Sequence, residues 1–117
     1  MEMHEVTYDG AQPIEGYGPG FFRVAGQVIR GPMLATGKRA KSWGGLDDLA
    51  ALLDLAGEVD VLFLGTGSEM DFAPKTMAER LDAAGIGVEP MATPSACRTY
   101  NVTLSEGRRV ALAVLPI

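Results

Sequence analysis

A chain of 117 residues, 47% of them apolar, is long enough for one domain with a real core, so no disulfide or metal staple is required. The formal net charge of −5 argues against a nucleic-acid partner, because phosphate contacts need a basic face. The single cysteine, Cys97, excludes an intrachain disulfide and fits a reducing compartment. No apolar run approaches the roughly 20 residues of a membrane helix, so no membrane insertion is expected. The acidic start, Met1-Glu2-Met3-His4-Glu5, is neither a signal peptide nor an organelle presequence. The expectation is a single domain over 1–117 and a cytoplasmic location, or a processed form whose targeting segment is missing.

In chain order, Glu5–Tyr8 is the first strand candidate, followed by turn residues from Asp9 to Gly20. Within that stretch Ile14 and Tyr17 are expected to fold back onto the core. Phe21–Val24 and Gln27–Arg30 are short strands around a tight Ala25-Gly26 hairpin, and Met33–Thr36 is another. Gly37–Gly45 reads as a polar, basic loop carrying Trp43, a core lid. Leu46–Ala56 is a helix with Leu46, Leu49, Leu52, Leu53 and Ala56 on its apolar face and Gly57 as its stop.

Val59–Leu64 is a continuous apolar run ending in Gly65-Thr66-Gly67, which suits a strand covered on both faces. Pro74 opens a helix to about Ala84, with Met77, Leu81 and Ala84 inward and Gly85 as its stop. Ile86–Glu89 is a short strand. Thr93 is a good N-cap for a third helix reaching about Leu104. Val110–Leu115 is a second strand buried on both faces. The alternation of helix and strand implies α/β layering, with a β-rich appendage at the amino end.

Complete catalytic sets are absent from the pattern. Gly65-Thr66-Gly67 follows a strand, but Met70 stands where a dinucleotide fingerprint has its third glycine, and no Walker sequence occurs. His4 is the only histidine, so a triad or zinc site has almost no support. Cys97, one turn into the third helix, is a candidate reactive thiol, with a buried structural cysteine as the plainer reading. Glu69 and Asp71 are two apart on a loop, where carboxylates are usually solvated. The basic groups Lys38, Arg39 and Lys41, and Arg108 with Arg109, read as solvated loop or strand ends.

Thr93, Thr99, Tyr100 and Asn101 concentrate polar groups around the third helix, and Asn is a poor mid-helix residue unless its side chain has a partner. Two readings stay open. These groups and the Gly65, Thr66, Gly67 loop either line an anion-tolerant crevice at a helix start or bond neighbouring backbone and lock the loop.

Thr93-Pro94-Ser95-Ala96-Cys97-Arg98-Thr99-Tyr100-Asn101, Glu106-Gly107-Arg108 and the closing apolar strand, with Gly65-Thr66-Gly67 upstream, carry a resemblance. So do Ile14, Tyr17-Gly18, Phe22-Arg23-Val24 and Trp43. Over about residues 14–117 the sequence resembles a domain-of-unknown-function family that includes the mitochondrial complex I assembly factor three proteins and an adipogenesis-associated animal protein. Ala35-Thr36-Gly37 departs from it, since relatives often carry a proline after that strand. The resemblance implies a three-layer α/β fold, with a mixed central sheet, helices on both faces and a β-rich appendage. It implies no established activity and no cofactor.

For the mitochondrial members the resemblance implies a helper role in building respiratory complex I through protein partners. The leading expectation is therefore a non-enzymatic interaction protein, an accessory or assembly factor whose partners are complex I subunits or assembly proteins. Its surface would centre on Gly65–Asp71 and Thr93–Asn101. The alternative is a small-molecule binder or enzyme using the crevice between the Gly65–Gly67 loop and the Thr93 helix.

Overall fold

The computed structural model describes Tyr8 and residues 10–117. His4 and most of the strand expected over Glu5–Tyr8 lie outside the described residues. Three short strands, β1 (Ile14–Gly18), β2 (Phe21–Val24) and β3 (Gln27–Arg30), form an antiparallel sheet in sequence order. The Ala25-Gly26 hairpin has the positive φ values, 50° and 75°, that a two-residue turn of matching twist requires.

The main sheet contains β4 (Met33–Thr36), β5 (Arg39–Ser42), β6 (Val61–Thr66), β7 (Gly87–Met91) and β8 (Val110–Leu115). Its order is β5-β4-β8-β6-β7. β4 runs antiparallel to β5 and β8, whereas β8, β6 and β7 are parallel, so the sheet is mixed. The helices are α1 (Leu49–Leu53), α2 (Lys75–Ala83) and α3 (Thr93–Ser105).

Alternation along the strands sorts the core into two halves. Leu34, Leu62, Leu64, Ala111 and Ala113 meet Leu52, Met77 and Leu81 of α1 and α2 on one face. Met33, Ala35, Phe63, Leu112 and Val114 meet Ala96, Cys97, Tyr100 and Leu104 of α3, together with Ile14, Phe22 and Val24 of the small sheet. Both faces of β6 and β8 are therefore covered, as their unbroken apolar runs require. Each fully buried leucine here contributes about 2 kcal/mol of transfer free energy. The result is the three-layer arrangement with a β-rich appendage.

Several boundaries differ from the sequence pattern. Residues 39–42 are not loop but the edge strand β5, joined to β4 through Gly37-Lys38. Arg39 and Lys41 disguise it, and such charges suit an edge because they deter further pairing. β1 hides behind Gly16 and Gly18 in the same way. Tyr17, expected to fold back onto the core, is instead exposed.

The helix expected over Leu46–Ala56 shrinks to α1, with Leu46 exposed. Asp48 explains its late start. Its carboxylate accepts from the Ala51 N–H at 3.3 Å and from the Gly44 N–H at 3.2 Å, which makes it the N-cap. The Trp43 indole N–H donates to the Asp48 carbonyl at 3.0 Å, and Trp43 is buried. Pro74 is the N-cap of α2 and not its first residue.

Candidate interaction surface

The carboxyl end of β6 meets the amino end of α3 almost without clearance. A Cβ placed on Gly65 would lie 2.5 Å from Val114 Cγ1, 2.9 Å from Thr93 Oγ1 and 3.1 Å from Thr93 Cα. Only glycine lets the helix sit this close to the strand. Two residues on, Gly67 turns the chain with φ +97°.

Thr93 does not cap α3. The N-cap is Ala92, whose side chain cannot cap, and Pro94 lies in the first turn, where a missing N–H costs nothing. Thr93 bonds across the junction instead. Its N–H donates to the Gly67 carbonyl at 2.8 Å. Its hydroxyl accepts from the Gly67 N–H at 2.9 Å and donates to the Leu115 carbonyl at 2.7 Å. Fully buried, it ties the glycine loop, α3 and the end of β8 together. At Gly65 the space between the loop and α3 is taken up by Thr93 and Val114.

Thr66 organises the loop that follows. Its hydroxyl donates to the Glu69 carbonyl at 2.7 Å, with the Met91 carbonyl at 3.2 Å, and accepts from the Asp71 N–H at 2.9 Å. The Asp71 carboxylate accepts from the Phe72 N–H at 2.8 Å. The loop so fixed presents Met70 at 52% exposure and Phe72 at 82%. The surface expected over Gly65–Asp71 included Met70 but stopped one residue short of Phe72. The available signal was two large apolar residues interleaved with Glu69 and Asp71, in a segment with no strand or helix period.

The other candidate residues go elsewhere. Asn101 finds the partner a mid-helix asparagine needs. Its Oδ1 accepts from the Ile14 N–H at 2.8 Å and its Nδ2 donates to the Ile14 carbonyl at 2.9 Å. A side chain thus pairs with the edge of β1 as a neighbouring strand would, and it fastens the small sheet to α3. Thr99 is half-buried, and its carbonyl accepts from the Thr103 hydroxyl at 2.9 Å. Tyr100 is 0% exposed, and its hydroxyl has no hydrogen-bond partner among the described residues. Burial pushes that phenol well above its ordinary range. Among the described residues, Thr93 is the α3 residue that hydrogen-bonds the glycine loop.

Cys97 is buried on the inner face of the same helix, and burial pushes its thiol up to about 12. That is opposite to the lowered value of an activated thiolate. Because the raised value belongs to the folded state, the neutral thiol favours folding below pH 9.0, and this contribution fades as pH climbs toward about 12. Native protein at pH 8 is expected to react with a thiol-specific disulfide reagent at least ~100-fold more slowly than denatured protein, because little thiolate forms. Absorbance kinetics with and without denaturant check this. Among the described residues no group of three His, Cys, Asp or Glu side chains could hold a metal ion.

Fold and junction together define a small three-layer α/β domain whose glycine loop is hydrogen-bonded to the start of its last helix. The chain belongs to the family described as a protein of unknown function, DUF498/DUF598, whose profile matches residues 14–115. An uncharacterized protein of Rhodobacter capsulatus is 53% identical over 117 residues, covering 100% of this chain and 94% of that one. The zebrafish (Danio rerio) NADH dehydrogenase [ubiquinone] 1 alpha subcomplex assembly factor 3 is 31% identical over 88% of this chain. The match spans only 63% of that relative's length. The crystal structure of an outer membrane protein from Bartonella henselae superposes with a TM-score of 0.82 at 31% identity, over 92% of this chain and 96% of that one. Among the described residues of this chain no helix is long and apolar enough to cross a membrane.

Proposed function

We propose that this chain is a non-enzymatic interaction protein, an accessory or assembly factor for respiratory complex I, and that it docks through the Thr66–Phe72 loop. The observation that carries this reading is Phe72, 82% exposed beside Met70 on a loop that Thr66 pins to its own backbone. A loop whose backbone is already held pays less ordering entropy on binding, and phenylalanine is among the aromatics enriched at interfaces. The relatives named as complex I assembly factors supply the partner class. In this reading Gly65, Gly67 and Thr93 set the loop's position, while Tyr100 and Asn101 hold α3 beneath it.

Removing the two apolar side chains tests the reading without touching the core. The double variant M70S/F72S is expected to melt within ~2 °C of the parent, since surface substitutions seldom matter to stability. Its recovery of complex I subunits or assembly proteins from the native host should fall at least ~30-fold, the effect of losing one ~2 kcal/mol hot spot. Quantitative mass spectrometry of tagged protein reads the ratio. Undiminished recovery of the same partners would move the docking surface elsewhere.

A further inference from the structure

At the amino ends of β6 and β8, opposite the Phe72 loop, three connections converge. They are the β4–β5 turn at Gly37-Lys38, the segment from Asp54 to Val59 and the turn at Gly107–Arg109. Between them lies a groove of about 800 Å³, within the roughly 300–1,000 Å³ of small-molecule sites. Its apolar lining includes Ala11, Val59, Leu104 and Val110. The two basic groups, some 70 residues apart in sequence, meet here because β4 pairs antiparallel with β8, Thr36 opposite Ala111.

Lys41 does not line this groove, and the other four of the five members divide into two roles. Arg39 grips Glu58 with two bonds of 3.1 and 3.3 Å. Arg109 grips Asp60 at 2.8 and 3.1 Å and donates to the Gly57 carbonyl at 3.1 Å. The Arg109 guanidinium holds the Asp60 carboxyl below its usual range, and the same hydrogen bonds keep Arg109 charged. These two cations staple the walls. Lys38 and Arg108 form no ion pair among the described residues, and both line the groove exposed.

We infer that this groove binds an amphipathic monocarboxylate, its apolar chain against Leu104, Val59 and Val110 and its carboxylate between Lys38 and Arg108. The charge balance selects one negative charge over two. Among the described residues, three cationic side chains, Lys38, Arg108 and Arg109, and two anionic ones, Asp54 and Glu58, line the groove, an excess of one positive charge. The carboxyl end of α3 also points here, and its partial negative charge opposes a dianion such as phosphate. Arginine and lysine together supply the donors that a carboxylate accepts.

The test is a titration of the full 15N-labelled chain with decanoate, 1-decanol and inorganic phosphate, the first two below their aggregation limits. Decanoate is expected to shift the amides of Lys38, Gly57, Val59, Arg108 and Val110 saturably. Decanol should bind at least ~10-fold more weakly and phosphate should leave these amides in place. The variant K38Q/R108Q should raise the decanoate Kd at least ~10-fold, while K41Q should leave it unchanged. Decanol binding as well as decanoate, phosphate shifting the same amides, or decanoate shifting none of them would each overturn the assignment. The decanol and phosphate arms use unaltered protein, so they decide the matter even if the double variant folds poorly.

Discussion

Gly65→Ala is expected to destabilise the protein by about 3 kcal/mol, the upper range for overpacking a closed site. One methyl group would lie 2.5 Å from Val114 Cγ1, and a rotation of Val114 alone would not relieve it, because Thr93 Cα stands 3.1 Å away. Relief requires moving the start of α3 off the sheet. Gly67 gives the contrast. A Cβ there meets nothing closer than the Pro116 carbonyl at 3.8 Å, but φ is +97°. Gly67→Ala should therefore cost only the backbone strain, about 1–2 kcal/mol. Urea denaturation of both variants measures the difference. A Gly65→Ala loss no larger than that of Gly67→Ala would mean the α3 start has slack.

Thr93→Val is expected to cost about 2–4 kcal/mol although it nearly preserves shape. The hydroxyl it removes serves two backbone groups, the buried Gly67 N–H and the half-buried Leu115 carbonyl. Each group left without a partner costs about 1–3 kcal/mol, more than the net worth of the bond it made. Thr93→Ser keeps the hydroxyl and should lose less than half as much. Native-state hydrogen exchange should also show Gly67 among the amides most accelerated in Thr93→Val, since its acceptor is gone. Equal losses for Val and Ser would assign the effect to packing and not to the hydroxyl.

The strongest elements were legible because two physical requirements coincided in them. Val61–Leu64 and Val110–Leu115 are apolar on both faces, and only a sheet covered on both sides satisfies such runs. Gly85 marked the end of α2 because it takes the left-handed backbone there, with φ +86°. β5 and β1 were not legible, since an edge strand tolerates charges and glycines that a central strand excludes. Leu46–Ala56 looked periodic, but Asp48 capping at Ala51 overrode the apolar stripe.

Thr93 shows the same conflict at the site. A threonine before a proline has cap chemistry locally, but the backbone groups it satisfies lie 22 and 26 residues away in sequence. Asn101 was legible as a residue in want of a partner, while the partner, Ile14, was 87 residues distant. The convergence of Lys38 with Arg108 depends wholly on β4 lying beside β8. Phe72 fell outside the expected Gly65–Asp71 surface because an apolar residue in a loop carries no period, and only its exposure marks it.

Photocrosslinking at position 72 tests the central claim most directly. Phe72 is replaced by p-benzoyl-phenylalanine in the native host, and Val28, exposed on β3, is replaced in parallel as the control. The predicted result is a crosslink from position 72 to a complex I subunit or assembly protein, identified by peptide mass spectrometry and absent from position 28. No protein crosslink at position 72, or the same products from both positions, would contradict docking through the Thr66–Phe72 loop.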